Sequence, residues 1–404
     1  MPSPTPKEAT SVLLCRYGEL FLKSGNRKRF QSMLVSNVQA SLAGLPGTKV
    51  EAPHGRILVH VPVAATEEAA QRVGRVFGLV SLSVAHVVAP ELDAIGAAAI
   101  AAARVGVERL TRSPGAGVPT PTNRIDARRT DKSFPVPSME LARDIGSRVN
   151  VALGLPVDLH AAELHIGVEI TSRGAFVYEA TRAAPGGLPV GVSGRGLLLL
   201  SGGIDSPVAG WLAAKRGLAL DAVYFHSPPF IGEKAKDKVL SLARILARWG
   251  ALKSVTVVGF TEIQKKLRDA GAHDLSVVLY RRMMMRIADV VADGLGAGAL
   301  VTGENLGQVA SQTVENMTAI QAVCRRVVLR PLTTYDKVET TDLARRIGTF
   351  ETSILPFDDC CSLFVPRHPA TKARVADAER IEEALDVGAE VAAAVASAER
   401  VMVT

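Results

Sequence analysis

The sequence has few cysteines, no long apolar run and no Walker-type phosphate motif, and each shortage excludes a class of protein. Four cysteines in 404 residues are too few for the disulfide framework of a small secreted domain. No apolar stretch approaches the roughly 20 residues that span a bilayer, and the first residues lack the apolar core of a signal peptide. The pattern Gly-x-x-x-x-Gly-Lys-[Ser/Thr] does not occur. We therefore expect a cytoplasmic protein without membrane segments and without a Walker loop.

Length and composition favour a folded chain of two or three domains, because domains usually close at roughly 100 to 200 residues. Apolar residues make up 48% and charged residues 22% of the chain, which is the balance of a globular protein. The formal charge of +7 and the pI near 9.3 indicate a polyanionic partner. A mildly basic enzyme that binds no nucleic acid is the alternative.

Hydrophobic periodicity separates the chain into a front half and a back half. Residues 1–67 and 68–176 alternate apolar strands with helices, one over 27–42 and another carrying Val73, Val76 and Phe77. Turn-forming residues cluster at 177–196, which we interpret as a linker. In 197–404, short apolar strands alternate with helices and a helical tail follows, so we predict an α/β multidomain protein whose last domain is a parallel sheet wrapped by helices.

A glycine-rich loop follows the first of these later strands. Leu197 to Leu200 read as a buried strand, and Ser201-Gly202-Gly203-Ile204-Asp205-Ser206 then turns into a helix. We predict Ser206 as the N-cap and Pro207 as the first helical residue, so that the free amides of the helix end bind a phosphate. Asp205 would be repelled by that phosphate unless a cation stood between them, which predicts Mg²⁺. An ordinary glycine turn is the alternative.

The loop at Ser201 to Ser206 resembles the pyrophosphatase loop of N-type enzymes, which cleave ATP between its α and β phosphates. Further stretches resemble the tRNA 4-thiouridine synthetase family, the tRNA sulfurtransferases, which is also linked to thiamine biosynthesis. They are Pro185 to Val190, Phe225 to Phe230, Arg281 to Arg286 and Thr302 to Gln312. The resemblance implies a nucleotide-binding domain over residues 197–404 that adenylates its substrate.

The front half carries the same resemblance. Arg16-Tyr17-Gly18-Glu19 is similar to the N-terminal ferredoxin-like domain of the family, and Val76 to Leu79 with Arg128 to Lys132 is similar to its THUMP domain. This implies a ferredoxin-like domain at 1–67 and an RNA-binding THUMP domain at 68–176, although a solvated face could also explain the basic clusters. The candidate RNA-binding residues are Lys23, Arg27, Lys28, Arg124, Arg128, Arg129 and Lys132.

Ligands of open parallel sheets bind outside the carboxyl ends of the strands, and the resemblance places ATP contacts there. Arg281 suits a phosphate oxygen because its guanidinium is a planar fork, whereas Met283 to Met285 are more typical of the core. The implied ATP contacts are Leu199, Leu200, Ser201, Gly202, Gly203, Asp205, Ser206, Tyr224, Phe225, Arg281, Gly303 and Gln312.

The resemblance also implies sulfur chemistry at Cys360 and Cys361. A cysteine there takes persulfide sulfur in the family, and we choose Cys361 with Cys360 as the alternative carrier. Two adjacent cysteines are a poor ligand set for an iron–sulfur cluster. Cys15, in an apolar strand, and Cys324 are expected to be structural, although Cys324 could resolve a disulfide on the carrier.

The function that the resemblance implies is ATP-dependent transfer of sulfur to a tRNA uridine at position 8, through an adenylated uridine, with release of AMP and pyrophosphate. Asp205 and Cys361 would be catalytic. The expected partners are tRNA, a cysteine desulfurase or rhodanese-type sulfur donor, a thiamine sulfur-carrier protein and a second copy of the chain. The rivals are an amidating synthetase, which would need an ammonia source, and a nucleotide-binding RNA chaperone.

Overall fold

The computed structural model describes residues 10–18, 24–53, 55–111, 120–357, 366 and 368–403. The chain forms two compact units, residues 1–187 and 188–404. No helix of the described residues is long and apolar enough to cross a membrane.

The first unit is built on a sheet in the order β2-β3-β1-β4-β7-β6-β5, with β8 paired to β4. Most neighbouring strands are antiparallel, whereas β5 and β6 are parallel. The strands are β1 (Thr10–Tyr17), β2 (Lys49–Glu51), β3 (Ile57–Pro62), β4 (Leu79–Val88), β5 (Asn123–Arg129), β6 (Leu164–Thr171), β7 (Gly174–Tyr178) and β8 (Arg182–Ala183). The helices are α1 (Arg27–Ser41), α2 (Thr66–Val73), α3 (Leu92–Thr111) and α4 (Ser138–Leu153).

Helix α2 ends earlier than the periodicity predicts. Val76 and Phe77 lie in the turn after it, because the helix ends at Val73 and Gly74 caps its last turn. Both side chains are nevertheless buried. The apolar pattern therefore identified core residues correctly but extended the helix too far.

The segment predicted as a linker, 177–196, contains ordered structure on both sides of the division between the units. Residues 177–178 end β7, and β8 pairs with β4. Beyond the division, the backbone N–H of Leu188 donates to Lys215 and that of Gly191 donates to Gly217. The segment 177–196 therefore combines turn-forming residues with backbone pairings inside each unit.

The second unit is a six-stranded sheet in the order β13-β12-β9-β10-β11-β14. All of its neighbouring strands are parallel except β14, which is antiparallel to β11. The strands are β9 (Arg195–Leu199), β10 (Ala219–His226), β11 (Leu252–Gly259), β12 (Ala299–Val301), β13 (Val327–Leu329) and β14 (Glu399–Met402). The helices are α5 (Asp205–Lys215), α6 (Glu233–Arg248), α7 (Thr261–Asp269), α8 (Ser276–Leu295), α9 (Val314–Gln321), α10 (Lys337–Ile347), α11 (Phe350–Ser353), α12 (Val375–Glu382) and α13 (Val387–Ala396).

The strand order reverses at β9, whose neighbours are β10 on one side and β12 on the other. Such a switch point opens a crevice at the carboxyl ends of the strands, where ligands of open parallel sheets bind. The predicted phosphate loop begins directly after β9. The sheet topology therefore puts that loop at the position where a binding site is expected.

Two features of this unit differ from the sequence prediction. Helix α5 begins at Asp205 with Ile204 at the N-cap position, so the predictions of Ser206 as N-cap and of Pro207 as first helical residue are wrong. The reason is that the Ser206 hydroxyl turns back to the loop and accepts a hydrogen bond from Ser201 N at 2.9 Å. The tail is also not wholly helical, because the chain ends with β14 on the sheet edge.

The core of the second unit packs helix α8 against the sheet. Met283, Met284 and Met285 are all buried within it, which confirms their prediction as core residues. Arg282, which directly precedes them in the same helix, is fully buried and forms a bidentate ion pair with Glu382 of α12, which Arg286 also contacts. This cluster attaches α12 to α8.

Candidate functional site

Hydroxyl groups hold the loop after β9 in a closed turn. The Ser206 hydroxyl lies 3.1 Å from that of Ser201, whose hydroxyl in turn accepts from Gly203 N at 3.3 Å. From outside the loop, the Ser353 hydroxyl donates to Gly203 O at 3.3 Å. The loop is thus fixed before any ligand binds, with the first amides of α5 at its end, as an anion site requires.

Gly303 allows the end of β12 to approach the start of α5. A Cβ atom at Gly303 would lie 2.7 Å from Ser206 N and 2.8 Å from the Asp205 carbonyl carbon. These are backbone atoms and cannot rotate away. The close contact of two backbones at the phosphate loop therefore requires glycine at this position.

A cavity of about 200 Å³ opens beside this contact. It is small beside the roughly 300 to 1,000 Å³ of typical ligand pockets. All of the predicted ATP contacts except Gly202 line it: Leu199, Leu200, Ser201, Gly203, Asp205, Ser206, Tyr224, Phe225, Arg281, Gly303 and Gln312. The structure thus brings together residues spread over more than a hundred positions of sequence, and their contact with ATP remains a prediction.

Buried aromatic side chains line the part of the cavity at the end of β10. The Tyr224 and Phe225 side chains are buried, and the Phe225 ring packs edge-on against Phe260 at 5.3 Å. Gln312 is 6% exposed, and its side-chain oxygen has no hydrogen-bond partner among the described residues. A buried acceptor without a partner is costly, and a ligand N–H would satisfy it.

Asp205 lies at the mouth of the cavity and is held by two side chains that sequence reasoning did not select. Lys337 Nζ lies 2.8 Å from Asp205 Oδ1, and Gln308 Nε2 donates to Oδ2 at 3.0 Å. Lys337 is the first residue of α10, which Asp336 and Glu339 start with a reciprocal capping box. The spacing Asp-x-x-Glu was visible in the sequence, but it marks a helix start and does not show where the lysine points.

The described residues contain no group of three or more His, Cys, Asp or Glu side chains that could hold a metal ion. A single carboxylate at the mouth nevertheless suits Mg²⁺, which usually binds one or two carboxylates together with the phosphates of the substrate. Asp205 is placed to supply that carboxylate. This fit applies to magnesium that Asp205 would share with the phosphates of a nucleotide. It does not require a site made of protein side chains alone.

A buried glutamate in the cavity wall, Glu304, contacts two arginines. Glu304 Oε1 accepts from Arg281 Nη1 at 3.1 Å, and Oε2 accepts from Arg330 Nε at 2.7 Å and from the Thr302 hydroxyl at 3.0 Å. Burial by itself raises the pKa of Glu304, but the charges of Arg281 and Arg330 and the hydrogen bonds outweigh it and hold this pKa below its ordinary value. Glu304 is therefore an ionised carboxylate inside the protein.

The predicted sulfur carriers Cys360 and Cys361 lie outside the described residues. The chain before them is attached to the second unit, because Lys238 Nζ donates to Leu355 O at 2.8 Å, and Ser353 contacts the phosphate loop. The chain after them is attached as well, since Asn316 Nδ2 donates to Ala370 O at 2.7 Å.

The other two cysteines are poor nucleophiles in this structure. Cys15 is fully buried in β1, and burial raises the pKa of its thiol to about 12. Burial also raises the pKa of Cys324, which lies beside Asp289 and Arg326. A structural role for both agrees with these environments.

In the first unit, a polar groove of about 1050 Å³ collects several of the basic residues. Arg124 and Arg128, which were predicted to bind RNA, line it because they lie on one face of β5. Arg16, Arg109 and Arg182 also line it, and sequence reasoning did not select them for RNA binding because β1, α3 and β8 bring them together only in the folded unit. Asp126, Glu163 and Glu179 line the groove too, and Arg124 and Arg109 pair with Asp126 and Glu179. Five arginines against three carboxylates leave a net positive groove, which suits a phosphate backbone.

The remaining candidate RNA-binding residues lie elsewhere. Arg129 donates to the carbonyl of Phe134 and thereby supports a turn, whereas Lys132 is exposed at a separate recess. Lys28 is exposed on α1 beside the half-buried Arg27, and Lys23 lies outside the described residues. The groove therefore contains two of the predicted residues and does not unite the whole set.

The fold and the site define a class of protein: a parallel sheet with a Ser-Gly-Gly-x-Asp-Ser loop at its switch point, in a chain whose first unit carries an arginine-lined groove. Three family models match the sequence: a ThiI ferredoxin-like domain at residues 12–83, a THUMP domain at 108–178 and the thiamine biosynthesis protein ThiI at 191–387. The chain belongs to the ThiI family.

Close relatives cover nearly the whole chain. A probable tRNA sulfurtransferase of Moorella thermoacetica is 46% identical over 93% of this chain and 93% of its own length, and one of Brevibacillus brevis is 44% identical over 96% and 95%. Among solved structures, a 4-thiouridine synthetase in complex with RNA and ATP matches with a TM-score of 0.87 and 33% identity, covering 98% of this chain and 100% of that one. The expected ferredoxin-like, THUMP and phosphate-loop domains are thus confirmed.

Proposed function

We propose that this chain is a tRNA sulfurtransferase that converts a tRNA uridine to 4-thiouridine at the expense of ATP. The observation that carries the proposal is the cavity at the end of β9, where the predicted ATP contacts converge beside a preformed phosphate loop. The relatives named tRNA sulfurtransferases and the 4-thiouridine synthetase solved with RNA and ATP support the choice of substrate.

In the proposed reaction, ATP lies with its base near Tyr224 and Phe225 and its phosphates along the loop from Ser201 to Ser206. The O4 atom of the uridine attacks the α-phosphate and pyrophosphate leaves, while the uridine loses its N3 proton. The adenylated oxygen is then a good leaving group. Because Arg281 and Lys337 stand at the cavity and at its mouth, their charges are placed to stabilise the negative charge that develops on the phosphates.

Asp205 would hold magnesium that arrives with ATP, and the metal would screen the phosphates from the carboxylate. Lys337, which is paired with Asp205 in this structure, would then be released to contact the phosphates. The amide of Gln308 would keep the carboxylate oriented during this exchange.

In the second half of the reaction, the terminal sulfur of a persulfide on Cys361 attacks C4 of the adenylated uridine, and AMP leaves. A second thiol then attacks the cysteine sulfur, which frees the thiouridine and leaves a disulfide that a thiol reductant restores. A cysteine desulfurase or a rhodanese-type protein would load the persulfide, and Cys360 is the alternative carrier. The proposal also includes transfer to the uridine at position 8 of the tRNA and sulfur delivery to a thiamine sulfur-carrier protein. It further includes a homodimer and a cytoplasmic location.

The proposal is tested by measuring 4-thiouridine in unmodified tRNA after incubation with the purified protein, ATP, Mg²⁺, a cysteine desulfurase and cysteine. We expect product from the wild-type protein and from Cys324→Ala, and none from Asp205→Ala or Cys361→Ala. Cys361→Ala should still release pyrophosphate when RNA is added, because adenylation precedes sulfur transfer. Pyrophosphate release without any thiouridine from the wild-type protein would contradict the sulfur assignment.

A further inference from the structure

The reaction described above assigns no role to Glu304, although this residue lies in the wall of the nucleotide cavity. Its side chain is 4% exposed. Glu304 directly follows Gly303, the residue that lets the end of β12 approach the phosphate loop. A carboxylate at the edge of a phosphate site opposes the binding of ATP, so its position needs a physical reason.

The contacts of Glu304 do not suit a general base. Both of its oxygens are occupied, one by Arg281 and the other by Arg330 and Thr302. An efficient base at neutral pH has a pKa near the working pH, whereas the two arginines hold the pKa of Glu304 below its ordinary value. The carboxylate is therefore a fixed negative charge that does not take up a proton.

The contacts are instead arranged to orient an arginine. The Arg281 side chain is 25% exposed and lines the cavity, while its Nη1 is held by Glu304. Behind Glu304, the Arg330 side chain is 12% exposed and its Nη1 donates to Gln321 of α9. A chain of contacts therefore runs from Gln321 of α9 through Arg330 and Glu304 to Arg281 in the cavity wall.

We propose that Glu304 is a positioning residue that fixes the guanidinium of Arg281 toward the nucleotide phosphates, and that Arg330 and Thr302 fix Glu304. An unrestrained arginine loses side-chain entropy when it becomes ordered, and restraint in advance removes that cost from the reaction. This inference rests on the proposed function, because Arg281 is taken to contact ATP.

The test is a double-variant cycle with Glu304→Gln, Arg281→Ala and the combination, measured as RNA-dependent pyrophosphate release over a range of ATP concentrations. Glutamine has the shape of glutamate, so it leaves no cavity, but its amide cannot accept from both arginines. Glu315→Gln is the matched control, because Glu315 is an exposed carboxylate on α9.

We expect Glu304→Gln to lower kcat by about 100-fold, the loss that a misplacement of about 1 Å causes, with little change in the KM for ATP. In the Arg281→Ala background, Glu304→Gln should change kcat by less than about threefold, because the residue that it positions is gone. Glu315→Gln should match the wild-type protein.

Two results would overturn the inference. Effects of Glu304→Gln and Arg281→Ala that multiply would show that Glu304 acts independently of Arg281, as a merely structural residue would. A lower KM for ATP with an unchanged kcat would show that Glu304 only reduces the positive charge of the site. A wild-type protein that releases no pyrophosphate with RNA would contradict the proposed function instead.

Discussion

The two units offer an anion very different surroundings. The second unit has a small cavity whose walls are backbone and a few fixed side chains, with Gly303 in backbone contact with the phosphate loop. The first unit has a groove about five times larger in volume, lined by arginines from separate elements. A single substitution should therefore act abruptly in the cavity and gradually in the groove, as expected for a small reacting group and a long polymer respectively.

Each unit also contains a buried glutamate between two arginines. Glu169 accepts from Arg16 Nε at 2.9 Å and Arg56 Nε at 3.0 Å, and the Tyr178 hydroxyl donates to it at 3.1 Å. Glu169 thereby ties β1, β6 and β7 to the chain before β3, and its partner Arg16 also lines the groove of the first unit. Glu304 likewise contacts Arg281, which lines the cavity of the second unit. In each unit an ion triad therefore fixes an arginine that lines an open space.

The largest effect that would sharpen this comparison is expected at Glu169. Glu169→Gln leaves Arg16 and Arg56 with an incomplete partner in a buried position, and breaking such a cluster costs about 3–5 kcal/mol. Urea unfolding of the full chain should show a destabilised first transition, while ATP binding to the second unit is retained. An unchanged first urea transition would mean that water replaces the hydrogen bonds that both arginines lose.

Glu382 extends the comparison to acid. Burial raises its pKa, but hydrogen bonds and charges from Arg282 and Arg286 lower it to about 2. A lowered folded-state pKa stabilises the protein above the ordinary value and ceases to do so as pH falls toward the folded value. Glu382→Gln should therefore cost about 3 kcal/mol at pH 7, the low end of the range because the short helix α12 can detach locally.

The measurement for Glu382 is urea unfolding of wild type and variant from pH 7 to pH 3. The difference between the two proteins should be constant down to about pH 4.5 and shrink below it, because the Glu382 carboxylate of the unfolded chain takes up a proton near its ordinary pKa while that of the folded protein stays charged until about pH 2. A difference that stays constant to pH 3 would show that the charge of Glu382 does not stabilise α12.

The backbone contact at Gly303 predicts a loss of activity. Gly303→Ala would push β12 away from the phosphate loop, and we expect pyrophosphate release to fall by about 100-fold or more. Gly298→Ala is the matched control, because it lies just before β12 and its Cβ would meet no atom within 4 Å. Equal activities of the two variants would show that the loop tolerates a shift.

These features differ in how far the sequence could reveal them. The phosphate loop, the buried strand before it and the alternation of strands and helices were predictable, because local spacing encodes them. The start of α5 was not, since Ser206 can cap a helix or hold a loop, and the contact with Ser201 decides between them. The edge strand β14 was missed because four residues after an Ala-rich helix carry little periodicity.

The charged contacts were the least predictable part of the site. Lys337 reaches Asp205 across 132 positions, and Arg330 reaches Glu304 across 26. No local pattern connects such pairs, so sequence reasoning selected Arg281 and overlooked the glutamate that holds it. The same reason explains why it found Arg124 and Arg128 in the groove but did not select Arg16, Arg109 or Arg182 for RNA binding.

The smallest expected effect tests the graded behaviour of the groove. Arg128 is exposed and lines it, so Arg128→Ala should remove about one phosphate contact and weaken tRNA binding by about fivefold, or about 1 kcal/mol. The slope of log affinity against log salt should fall by about 1. Lys132→Ala is the matched control, because this exposed cation lies at the separate recess. A loss of affinity with an unchanged salt slope would mean that Arg128 contacts a base or another part of the protein. Equal losses for both variants would place the RNA across both recesses. The contrast between the cavity and the groove would then be supported by the cavity alone.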